Sequence, residues 1–149
     1  MIINGQDLLD ICPLEPMVPM KIWHEPSNTS WGLTECGYDI RIKQDVWLHP
    51  FKRFVLASSI EYFSMPDYLM GRVLNKSTWA RRGLDASMTT NIEPGWKGYL
   101  TLELVYSRYK PLFIPAGSGI CQVIFEEVKN PAQYSGKYQN QPDHPVSAK

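Results

Sequence analysis

The chain has 149 residues, with fifteen basic and fifteen acidic side chains, enough for one domain with its own core. The balanced charge excludes bulk attraction to nucleic acid or to an anionic membrane. No apolar run reaches the roughly 20 residues of a membrane helix, and Cys12, Cys36 and Cys121 are too few and too scattered for a disulfide framework.

The start, MIINGQDLLD, lacks the basic opening and long apolar core of a signal peptide. A cytoplasmic location is expected, in a host cell if the chain is viral. Asn4–Ile11 reads as a short helix capped by Asn4, which Pro13, Pro16 and Pro19 stop. Residues 20–35 read as loop with at most one edge strand. From Gly37 the pattern turns to β. GYDIRI alternates, with Tyr38, Ile40 and Ile42 on one face and Asp39 and Arg41 on the solvent face. VWLHPF, RFVLASSIEYFSM, YLMGRVL, GYLTLELVY, PLFIP and ICQVIFEEV read as further strands, separated by Pro and Gly turns. KSTWARRG is the only internal segment with helical character, with Ser77 as cap and Gly83 as stop. Many short strands with few short helices predict an all-β jelly roll or barrel over residues 1–130. The polar segment 131–149 has too few apolar residues to pack alone. It is expected to be disordered or ordered by a ligand.

Two features carry chemistry. In Lys76-Ser77-Thr78-Trp79-Ala80-Arg81, cations and hydroxyls stand beside free N–H groups at the start of a helical turn. That suits phosphate; a solvated basic turn is the plain alternative. Glu103 sits between Leu102 and Leu104 in a strand. Alternation alone puts it in water. Turned inward, a buried carboxylate suits general acid–base work. Glu93-Pro94-Gly95-Trp96 reads as a turn. His24, His49 and His144 are scattered and carry no assignment. No CxxC pair and no HxE followed by PCxxC occurs, the signature of zinc nucleobase deaminases.

The segments SWGLTECGYDIRI, EYFSMP, LNKSTWARRGL, NIEPGWKGYLTLEL, ICQVIFEE and GKYQNQ occur in this order over residues 30–141. Together they resemble the dCTP deaminase family of the dCTP deaminase/dUTPase superfamily. The resemblance implies a distorted jelly-roll, dUTPase-like fold. It implies a homotrimer with sites at subunit boundaries, or trimers paired into a hexamer. The reaction implied is hydrolysis of dCTP to dUTP and ammonia without zinc. Mg2+ rides on the triphosphate, no protein metal site is assigned, and dTTP is a possible inhibitor. By the same resemblance Glu103 shuttles protons, Ser77 orients the attacking water, and Arg81 stands beside the reacting centre. Lys76 and Thr78, with Trp79 and Ala80 in the same box, hold phosphate. Thr101 and Leu102 lie against the pyrimidine and sugar. Glu93 matches the acid of the turn, and Gln122 a ligand-contacting glutamine of one branch. Tyr134, Lys137 and Gln141 match tail residues that close over the triphosphate.

Departures from the family pattern are Asn75 for a usual glycine, the loop Met88-Thr89-Thr90-Asn91 that touches the base, and the ending PDHPVSAK. A bifunctional enzyme that also cleaves dUTP to dUMP and diphosphate would use Glu93 on the phosphate water. A plain dUTPase lacks a glutamate at position 103 and ends in a Gly-rich motif. A non-catalytic nucleotide-binding protein would have no need of Ser77, Arg81 and Glu103 together.

Overall fold

The computed structural model describes residues 1–149. The chain opens with β1 (Ile2–Ile3), helix α1 (Gly5–Ile11), β2 (Leu14–Glu15), β3 (Lys21–His24), β4 (Thr29–Leu33) and β5 (Tyr38–Arg41). It continues with β6 (Val46–Leu48), β7 (Phe54–Ser64), β8 (Leu69–Asn75), helix α2 (Ser77–Arg81), β9 (Leu84–Asp85) and β10 (Asn91–Ile92). It ends with β11 (Lys97–Tyr106), β12 (Leu112–Ile114) and β13 (Gly119–Glu127). No helix is long and apolar enough to cross a membrane.

The larger sheet runs β10-β8-β13-β5-β4-β3, with β1 also on β13. A second sheet runs β2-β7-β11-β9, and β12 pairs with β6. All pairs are antiparallel, and the sheets share one apolar core as a distorted jelly roll. Tyr38 and Ile40 from β5 and Ile42 just beyond it meet Phe63, Leu102, Leu104 and Phe125 there, all fully buried.

Four local readings change. Residues 20–35 fold as a hairpin, with Lys21–His24 registered on Thr29–Gly32. The reversal is a 3-10 turn at Glu25–Ser27 that ends on Asn28 in the left-handed region, φ 55°. Asn4 stands at the N-cap of α1, but its side chain donates to the Glu35 carbonyl at 2.7 Å instead of capping. Lys76, not Ser77, is the cap of α2. Asp39 and Arg41 do not face water. Asp39 is 4% exposed and pairs with Lys76. The Arg41 Nε donates to Oε1 of the fully buried Glu61 at 2.8 Å while its guanidinium stacks 3.7 Å from the Trp31 ring centre. Lys76, Glu61 and Trp31 meet the polar side chains of β5, so polar alternation there marks ion pairs instead of solvent.

Candidate functional site

Strand β11 organises the site. Its inner edge is bonded to β7, with Glu103 opposite Leu56 and Thr101 opposite Ser58. A register shift between Tyr99 and Thr101 lets the consecutive residues Leu100 and Thr101 both face one cavity. That cavity has a volume of about 430 Å³, large enough for a small organic ligand. Glu103 is half-buried and opens into it, between Leu102 and Leu104, which are buried in the core. The solvent-facing option for Glu103 is thereby replaced: its face of the strand is walled, not free.

The walls come from four places. Phe54 and Leu56 of β7 and Trp96 give apolar surface. The loop Thr89-Thr90-Asn91 forms one side, and Thr89 Oγ1 accepts the Glu103 N–H at 2.9 Å. The exposed Glu93 stands at the rim. The tail supplies Tyr134, Tyr138, Gln141, Val146 and Ala148.

Segment 131–149 lies along the chain's own body, with Asn140 and Gln141 bonded to the edge of β11. The reason is that β9 pairs only with Val105 and Tyr106, leaving the rest of the outer edge of β11 open. Tyr99 N donates to the Gln141 carbonyl at 3.1 Å, and Asn140 N to the Lys97 carbonyl at 2.8 Å. Trp96 Nε1 donates to the Tyr138 carbonyl at 2.7 Å. Gly98 (φ 142°) allows this approach: a Cβ there would lie 2.5 Å from Gln141 N. Further along, the Gln141 Oε1 accepts from Thr101 N and Thr101 Oγ1 at 3.3 Å, and Val146 N donates to Thr101 Oγ1 at 3.2 Å. Tyr134 N donates to the Pro94 carbonyl at 2.9 Å, tying the tail to the Glu-Pro-Gly-Trp turn.

Of the residues singled out in the sequence, the cavity thus brings together Glu103, Thr101, Glu93, Tyr134 and Gln141. Leu102 points the other way, fully buried. Lys137 is exposed beside the cavity-lining Tyr138, its Nζ 5.1 Å from that ring and bonded to the Lys149 carbonyl. None of Lys76, Ser77, Thr78, Trp79, Ala80 and Arg81 lines this cavity. Ser77, Ala80 and Arg81 present an exposed face of α2, and Thr78 is half-buried. Trp79 is a core residue whose indole N–H donates to the Gly119 carbonyl at 2.7 Å. Lys76 turns inward to Asp39 and Ser30. Gln122 belongs to that inner cluster, donating to Thr34 Oγ1 at 2.9 Å.

Electrostatically, burial dominates the interior carboxyls. It pushes Glu61 up against the opposing pull of Arg41, and Asp39 up against that of Lys76. Beside the cavity loop the sign reverses. Ser87 and Asn75 donate to Asp85 and hold its carboxyl below the ordinary range, fixing the turn that carries Thr89. No three His, Cys, Asp or Glu side chains converge into a metal site. Residues the sequence reading did not name include Phe54, Leu56 and Tyr138; cross-strand register with Glu103 is the signal that points to the first two.

A family model described as dCTP deaminase-like matches residues 38–128. A dCTP deaminase of Herpetosiphon aurantiacus is 37% identical, the match covering 86% of each chain. One from Campylobacter concisus is 36% identical over 75% of this chain and 77% of its own. Among solved structures, the deoxycytidine triphosphate deaminase of Agrobacterium tumefaciens superposes with a TM-score of 0.61 at 12% identity, covering 89% of this chain and 50% of that one. The dUTPase of Staphylococcus bacteriophage 80alpha gives 0.58 at 14% identity, covering 92% and 95%. A dUTPase from phage phi11 of S. aureus, described with a structural Mg(II) ion, gives 0.57 at 16% identity, covering 70% and 84%. At these identities the structural likeness is one of fold.

Proposed function

This chain belongs to the dCTP deaminase-like family, and from that premise we propose that it hydrolyses dCTP to dUTP and ammonia. One observation carries the reading: the Glu103 carboxylate opens into a walled cavity beside the polar edge of β11, with tail residues across its mouth.

In the reaction, a water attacks C4 of the cytosine. Glu103 takes one proton from that water as the C4–O bond forms and passes it to N3, giving a tetrahedral intermediate with a 4-hydroxyl. Glu103 then takes the 4-hydroxyl proton and delivers it to the 4-amino group; the C4–N bond breaks, the C4=O bond forms, and ammonia leaves. Ser77 orients the water, and Arg81 stands by the reacting centre and phosphates. Thr101 and the backbone of Leu102 lie along the pyrimidine and sugar. Lys76, Thr78, Trp79, Ala80, Gln122 and Lys137 complete the nucleotide contacts, and residues 131–149 serve as the lid, with Tyr134 and Gln141 on the ligand.

The cavity and the Lys76–Arg81 box lie apart on a single chain. A homotrimer in which one subunit's box faces a neighbour's cavity reunites them. The substrate carries Mg2+, which neutralises triphosphate charge. Two carboxylates, Glu93 and Glu103, line the cavity. That donor set fits an ion that takes most of its ligands from phosphate and water, with the exposed Glu93 the residue placed to hold it. The enzyme works in the cytoplasm, of a host cell if viral, and dTTP competes for the same cavity.

Glu93 on the rim of the cavity also favours a second reading, a bifunctional enzyme that carries dUTP on to dUMP and diphosphate. Purified protein is incubated with dCTP and Mg2+, and the products are separated by chromatography. Accumulating dUTP supports the deaminase; dUMP with diphosphate supports the bifunctional form. No turnover of dCTP or dUTP overturns both.

A further inference from the structure

The outer edge of β11 is satisfied by four different partners in succession. The tail backbone bonds it at Tyr99, the Gln141 side chain at Thr101, the Thr89 hydroxyl at Glu103, and β9 at Val105. The bond at Glu103 differs from its neighbour at Thr101. It is 2.9 Å long against 3.3 Å, and its acceptor is a buried side chain, 7% exposed. Thr89 is itself fixed from both sides. Its own N–H bonds the Ala86 carbonyl at 3.1 Å, and the Thr90 N–H bonds Ser87 O at 3.2 Å. Val73 N then takes the Thr90 carbonyl at 3.1 Å. Thr90 is held at φ 66°, ψ −134°, a conformation that β-branched residues avoid. Such an outlier persists only where the surroundings hold it in place, which is common at functional sites.

We infer that Thr89 is a positioning residue for Glu103. Its hydroxyl grips the backbone N–H of the very residue whose carboxylate opens into the cavity, and Thr89 and Glu103 both line that cavity. The bond sets the separation between the 87–91 loop, which is one wall, and the carboxylate on the other. A threonine is suited to this because its branched Cβ restricts χ1 and so aims the hydroxyl. The inference rests on the deaminase reading for its chemistry and on the hydrogen bond for its geometry, and the two are tested separately.

In the full-length protein, Thr89→Val keeps the shape and removes the acceptor. It is expected to lower kcat for dCTP deamination by about 10- to 100-fold, with KM within about threefold, since a misplaced group costs rate more than binding. Thr89→Ser restores most of the rate. Amide exchange followed by NMR reads the bond without turnover: the Glu103 amide exchanges about tenfold faster in Thr89→Val, while Leu102 and Leu104 keep their protection. Wild-type kcat in the valine variant overturns the inference, as does a serine variant no better than valine. If the wild-type protein fails to deaminate dCTP, the deaminase reading falls, and unchanged Glu103 exchange in Thr89→Val then overturns the positioning role as well.

Discussion

Replacing the Glu103 carboxylate by an amide keeps the side chain's shape and removes the group proposed to carry both proton transfers. Glu103→Gln is expected to lower kcat by at least about 10³-fold, at the upper part of the range for general acid–base groups. Binding of dCTP with Mg2+, measured by titration calorimetry, stays within about threefold. A variant that deaminates at the normal rate removes Glu103 from the mechanism. The interior carboxyls make a different prediction. Glu61 and Asp39 both stand above their ordinary values, 4.5 and 3.8, because burial outweighs their cationic partners. A carboxyl raised in the folded state contributes stability that is full below its unfolded value and lost as pH rises through the folded one. Urea midpoints should therefore fall as pH rises above about 4.5, and Glu61→Gln should flatten part of that fall. An unchanged profile in the variant contradicts the assignment. This pair also shows what the sequence could not reveal. GYDIRI alternates as a half-exposed strand does, and alternation does not distinguish a polar residue facing water from one facing a buried partner. Only the partners that the fold brings up, Glu61 from β7 for Arg41 and Lys76 for Asp39, decide it.

At the scale of elements, the long strands were legible because their apolar residues run over enough positions to exclude a helical period. β11 also alternates, burying Leu100, Leu102 and Leu104 on one face. The two-residue strands β1, β2, β9 and β10 were not, since pairs of that length have no period to read. The tail's contacts with β11 were not legible for a related reason. Its anchoring uses the backbone edge of β11 and the absence of a side chain at Gly98, neither of which composition records. Gly98→Ala tests this directly. The added Cβ would lie 2.5 Å from Gln141 N, where backbone cannot yield cheaply, and φ 142° is itself costly for alanine. The tail should lift off β11. Tryptic cleavage after Lys137 is expected to accelerate about tenfold, because cleavage follows the population of the open form. The core keeps its amide protection. Cleavage at the wild-type rate means that the tail is not held through this contact.

At the scale of the whole molecule, the stretch from Lys76 to Glu103 divides into two halves that a single chain does not join. The box presents Ser77 and Arg81 on an exposed face of α2, while Glu103 looks into a cavity that no box residue lines. The family resemblance implies sites divided between subunits; residue spacing alone does not, because distance along the chain carries no information about which way a helical turn and a strand face. A shared site between subunits makes a quantitative prediction. Glu103→Gln and Arg81→Ala are each inactive as pure proteins. Denatured together in equal amounts and refolded into mixed trimers, they place an intact Glu103 opposite an intact Arg81 at about one boundary in four, by random assembly around a closed ring. Activity should then return to about a quarter of wild type. If each site is built within one chain, every site in the mixture carries a defect and the activity stays at the level of the separate variants. That result would overturn the shared-site arrangement while leaving the chemistry assigned to Glu103 intact.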